Sequence, residues 1–105
     1  MIARLTFISV PSADAEDLRR IYNDEIVPVI KRQKGNIGAW LLEPTDEKDD
    51  FISLTEWVSR SSAEAYEASG TYKILVDKVR SIFTANINPV LKTYIAQESK
   101  IIQSA

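Results

Sequence analysis

Strand-like and helix-like stretches alternate along the 105-residue chain in the order strand, helix, strand, strand, helix, strand. That order constrains the fold more than any other feature, because two βαβ halves in sequence make a split βαβ arrangement. Ile2 to Val10 is β-branched and apolar and stops at Pro11, the mark of a first strand. Ser12 and Asp14 are N-cap candidates before an acidic turn with Glu16 and Asp17. A helical stripe then runs through Leu18, Ile21, Tyr22, Ile26, Val29 and Ile30 to about Gln33, with Pro28 inside it predicting a kink. Lys34-Gly35-Asn36 ends this helix, and Ile37 to Glu43 reads as a second strand carrying Trp40.

Pro44 to Asp50 is a polar loop with acids in excess. It reads as a solvated hairpin loop, since its spacing does not match a calcium-binding loop. Phe51 to Val58 is a third strand. Ser61 with Glu64 has capping-box spacing and opens a short helix that stops at Gly70. A longer helix follows from Thr71 to about Ala85, with Tyr72, Leu75, Val79 and Ile82 or Phe83 on one side. Pro89 begins a fourth strand through Ala96, and Ile101 and Ile102 suggest that the tail 97–105 docks, on this chain or on a partner subunit. The expected class is α+β: one ferredoxin-like βαββαβ domain over residues 1–105, with a four-stranded antiparallel sheet in the order 4-1-3-2.

Both helices of such a unit cover one face of the sheet, so the other should alternate to polar residues. It does not. Leu5 and Phe7 oppose Ile2 and Ile8 across the first strand, and Ile52, Leu54 and Val58 oppose Phe51 and Trp57 across the third. A second copy of the sheet is the simplest cover, so a homodimer is expected; a folded-back tail is the alternative.

Composition narrows the chemistry. The chain has no cysteine and no histidine. Disulfides, thiolate metal sites, a cysteine nucleophile and Ser–His–Asp catalysis are therefore excluded, and a metal would need an all-oxygen site. The net charge of −2 argues against nucleic acid as a partner. No apolar run reaches membrane-span length, and the N-terminus reads as a strand and not as a signal peptide, so a cytoplasmic protein is expected.

Four segments carry a resemblance: Tyr22-Asn23-Asp24-Glu25-Ile26-Val27-Pro28-Val29-Ile30, Lys34-Gly35-Asn36-Ile37-Gly38, Leu54-Thr55-Glu56-Trp57-Val58-Ser59, and Ala63-Glu64-Ala65-Tyr66-Glu67-Ala68-Ser69. In this order and spacing, over about residues 2 to 97, the chain resembles the antibiotic biosynthesis monooxygenase (ABM) family. The resemblance implies a dimeric α/β-barrel of ferredoxin-like subunits. It also implies a choice of activities. Some members oxidise aromatic polyketides with dioxygen and no cofactor, the substrate donating the electrons, and some oxidise quinols. Relatives degrade haem or isomerise lactones. Catalytic members often carry a histidine on the helix after the Trp-bearing strand, where this chain has Tyr66 and Tyr72 nearby.

The candidate site residues are read with their plainer alternatives. Trp57 is an aromatic wall for a flat substrate or a core tryptophan. Tyr66 is the candidate catalytic group, a phenol able to hydrogen-bond a substrate oxygen or pass a proton, with Tyr72 beside it; the plainer alternative for each is a half-buried ring with a wet tip, and it weighs more for Tyr72. Tyr22 and Asn23 would reach in from the first helix, or serve as core and surface residues. The site is expected between sheet and helices, near Trp57 and the break at Gly70. Arg4 and Glu56 sit on adjacent central strands and suggest a cross-strand ion pair; alternatively Arg4 binds an anionic ligand. No metal or cofactor is expected. The leading function is a cofactor-independent monooxygenase of a quinol-like or anthrone-like aromatic, against a non-catalytic binding module or a small isomerase or cyclase on the same barrel.

Overall fold

A computed structural model of the chain describes residues 1–82 and 89–97, and the side chains of residues 1–80 and 89–97. The strands are β1 (Ile2–Ile8), β2 (Asn36–Leu42), β3 (Phe51–Trp57) and β4 (Val90–Ile95). The helices are α1 (Ala15–Ile21), α2 (Val27–Lys31), α3 (Arg60–Ala68) and α4 (Thr71–Ile82). The sheet is antiparallel in the order β2-β3-β1-β4, the α+β ferredoxin-like arrangement. The expected continuation of the last helix through Phe83 to Ala85, and the tail with Ile101 and Ile102, lie outside the described residues.

The first helical stretch differs from its expectation. Tyr22–Ile26 forms a π turn joining α1 to α2, and the Val27 N–H donates to the Tyr22 carbonyl, five residues back. Pro28 has no N–H to donate and its ring crowds the carbonyl four residues before it, so a widened turn just ahead absorbs the proline. The cap of α3 is also two residues earlier than the capping-box spacing suggests. Ser59, in extended backbone, accepts from the Ser62 N–H at 3.2 Å.

Register assigns the faces. Ile2, Arg4, Thr6 and Ile8 on β1, and Phe51, Ser53, Thr55 and Trp57 on β3, lie beneath the helices; Leu5 and Phe7 with Ile52 and Leu54 lie on the opposite face. Leu54 has Leu5 opposite it on β1 and Trp40 opposite it on β2. The helix-covered face is thus apolar at its two ends and polar in the middle, while the uncovered face is largely apolar. This places the core: Leu18, Ile21, Ile26 and Ile30 from the first helical stretch pack with Leu75 and Val79 of α4 onto Ile2, Ile8, Phe51 and Trp57.

The expected Arg4–Glu56 pair is not made. Arg4 lies opposite Thr55, whereas Glu56 lies opposite Ala3 and so on the uncovered face. A one-residue offset in an antiparallel pair sends two side chains to opposite faces of the sheet.

Candidate functional site

Because the middle of the covered face is polar and the residues above it are apolar, the two layers do not close completely. Among the described residues, a cavity of about 40 Å3 remains between them. Its floor is Thr6 and Ser53, its apolar walls include Ile26, Ile30, Leu75 and Val79, and three phenols border it: Tyr22, Tyr66 and Tyr72. A smaller space of about 20 Å3 shares the Thr6, Ser53, Tyr66 and Tyr72 walls and adds Arg4 and Thr55. A water molecule needs roughly 10–15 Å3 by this measure, so the larger space has room for a few waters, and an aromatic ligand must displace wall side chains.

The three phenols differ. Tyr22 opens the π turn and is buried. Its hydroxyl donates to the Trp40 carbonyl at 3.0 Å and is paired with the Ser53 hydroxyl at 2.8 Å, which ties the first helical stretch to β2 and β3. Burial pushes the Tyr22 phenol above its ordinary range, and the Ser53 hydrogen bond offsets part of that. Tyr66 projects from α3 and stacks on Trp57, with ring centroids 4.9 Å apart. Its hydroxyl has no hydrogen-bond partner among the described residues. Burial, with neighbouring Tyr72 and Tyr22, pushes it far above the ordinary phenol range; nearby Arg4 pulls the other way. Tyr66 is therefore a neutral hydrogen-bond donor at physiological pH, and not a base. Tyr72, at the start of α4, meets Tyr66 edge to face at 6.0 Å and its hydroxyl is 3.4 Å from that of Thr6. Gly70, with φ of +83°, makes the sharp turn between α3 and α4 that brings Tyr66 and Tyr72 together.

Trp57 is fully buried, and its indole N–H donates to the Thr55 hydroxyl at 2.9 Å. It does not border the cavity but backs Tyr66. Asn23 is exposed and stands away from the cavity. Of the five candidates the structure therefore gathers Tyr22, Tyr66 and Tyr72 around one space, places Trp57 behind them and leaves Asn23 outside. Sequence reasoning did not pick out Thr6 and Ser53. The signal for both was a hydroxyl residue at an inward position of a central strand with an apolar inward neighbour on one side, Ile8 for Thr6 and Phe51 for Ser53. Among the described residues no cluster of three or more acidic side chains could hold a metal ion, and no helix is long and apolar enough to cross a membrane.

Residues 1–78 match the sequence profile of the antibiotic biosynthesis monooxygenase family, which spans β1 through most of α4 and every phenol of the site. The chain belongs to that family. Solved structures of similar fold agree with the assignment. An assigned antibiotic biosynthesis monooxygenase from Deinococcus radiodurans superposes with a TM-score of 0.77 at 16% identity, over 99% of this chain and 100% of that one. A second, from Nitrosomonas europaea, gives 0.63 at 18% identity over 88% and 96%. The haem-degrader MhuD of Mycobacterium tuberculosis, with two haems in its active site, gives 0.64 at 16% identity over 94% and 100%. At these identities the likeness concerns the fold. No protein of curated function matches the chain significantly.

Proposed function

We propose that this ABM-family chain is a small cofactor-independent monooxygenase acting on an electron-rich aromatic, such as a quinol or an anthrone, and that it works as a homodimer. One observation carries the activity: a neutral, unpartnered Tyr66 hydroxyl beside an apolar cavity, flanked by two further phenols. A substrate oxygen beside Tyr66 accepts its hydrogen bond. As the substrate loses a proton and becomes electron-rich, that bond strengthens, and the apolar walls keep competing water away. The substrate then supplies the electrons to dioxygen. For an anthrone-type methylene the balance is CH2 plus O2 giving C=O plus H2O. A hydrogen bond to a charged group contributes about 1.5–3 kcal/mol, so Tyr66→Phe should lower turnover about tenfold to a hundredfold.

Support for the dimer is the uncovered sheet face, where Leu5, Phe7, Ile52 and Leu54 stand in rows with Trp40, Leu42 and Val90, the last three all exposed in the single chain. The larger cavity is bordered by no carboxylate or amine, which favours a second reading, non-catalytic binding of a small aromatic. Oxygen uptake with a panel of dihydroxyarenes and anthrones separates the two. Uptake above the protein-free rate, reduced in Tyr66→Phe, supports the monooxygenase. Ligand-induced thermal stabilisation without uptake supports the binding module. Haem breakdown is not expected, since the chain has no histidine to ligate the iron.

A further inference from the structure

Arg4 occupies the middle of the central strand and is 5% exposed. A guanidinium stays protonated, so burying it is tolerated only when its N–H groups are met. Two nitrogens have partners: Nη1 donates to the Ala63 carbonyl at 3.0 Å, and Nη2 to Glu67 Oε2 at 2.8 Å. The Nε–H is buried and has no partner among the described residues. Nε and Nη2 together form the side-on edge that a planar carboxylate grips with both oxygens. Glu67 puts one oxygen on this edge and is itself half exposed, so the edge is half filled. Arg4 also borders the smaller inner space, which Tyr66, Tyr72, Thr6, Ser53 and Thr55 line with hydroxyls and no acid. Arg4, whose one counter-charge among these contacts is the half-exposed Glu67, and the unpartnered Tyr66 hydroxyl thus border one small space.

We infer that Arg4 is the specificity-determining residue of the site and receives an anionic oxygen of the ligand on its Nε edge, so that the ligand class is aromatic acids carrying an ionised carboxylate beside the ring hydroxyl. The inference rests on the reading of this cavity as the ligand site. In it Tyr66 holds the ring oxygen and Arg4 the carboxylate, and Glu67 is the group the ligand displaces or joins.

The test is anaerobic calorimetry on the full chain with two matched probes, a dihydroxynaphthalene and the corresponding dihydroxynaphthoate. The naphthoate should bind about tenfold to a hundredfold more tightly, as expected for a charge-assisted pair in a buried site. Arg4→Met should abolish that preference. Because Arg4→Met could impair folding, Glu67→Gln is the second variant, at a half-exposed position. Removing the competing carboxylate should raise naphthoate affinity and leave the neutral probe unchanged, whereas a purely structural Arg4–Glu67 pair predicts no gain. Equal affinity for the two probes, or a Glu67→Gln variant with unchanged or weakened naphthoate binding, overturns the inference. If the two probes bind equally tightly and both are oxidised once oxygen is readmitted, the inference fails and the monooxygenase reading stands. If neither probe binds, both fall.

Discussion

Leu54 stands near the middle of the uncovered sheet face, opposite Leu5 on one side and Trp40 on the other, and is partly buried in the single chain. Replacing it with lysine asks what covers that face. In a lone chain the lysine stem can lie along its neighbours with the ammonium in water, and surface changes of this kind usually stay within about 0.5 kcal/mol. In a dimer that stacks two such faces, each copy gives up the burial of the part of the leucine still exposed in the single chain, about 0.5–1.5 kcal/mol, before any cost of a trapped charge. Two copies meet in each dimer, so association should weaken by about 1–3 kcal/mol, or about fivefold to a hundredfold in Kd. Sedimentation equilibrium across micromolar concentrations measures this directly. The wild type should run at twice the 11.8 kDa chain mass, and Leu54→Lys should shift towards the monomer with its circular dichroism retained. A wild type that stays monomeric over that range, or a variant with unchanged Kd, would refute the reasoning, and the apolar face would need another cover.

Two further predictions concern stability. Gly35 has φ of +83°, and a Cβ placed there would come within 2.5 Å of the Ser62 Cβ. Gly35→Ala should therefore cost about 1–2 kcal/mol for the left-handed backbone plus a steric share. Adding Ser62→Gly should recover only the steric share, and a denaturant midpoint unchanged in Gly35→Ala would contradict this. The buried phenols set an alkaline limit. Folding raises the pKa of Tyr22 and Tyr66, so their stabilisation is complete below the unfolded phenol pKa of about 10 and is lost as pH climbs above it. Absorbance at the phenolate band should show these two ionising together with unfolding. Ionisation of all four tyrosines near the ordinary value, in a chain that is still folded, would show that the cavity is open to water.

The strand order and the two-faced apolar pattern were legible because side-chain alternation along a strand is a local rule. Ile2 and Ile8 against Leu5 and Phe7 sort onto faces whatever the rest of the chain does, and the sheet order follows from two βαβ halves. Tyr22, Tyr66 and Tyr72 were legible as candidates because phenols beside an apolar stripe are few in this sequence. Partners were not legible. Whether Arg4 meets Glu56 or Glu67 depends on cross-strand register and on where α3 crosses the sheet, contacts between residues 52 and 63 positions apart in the chain. Trp57 and Asn23 went the same way. Trp57 has the aromatic face of a ligand wall, but its indole found Thr55 and its ring found Tyr66, while Asn23 turned outward on a π turn that Pro28 required and no periodicity announced. The periodicity of a chain tells each side chain which face to take; only the packing of helices onto the sheet tells it what it will touch there, because that choice is made between residues far apart in sequence and settled by which buried polar groups can be paired.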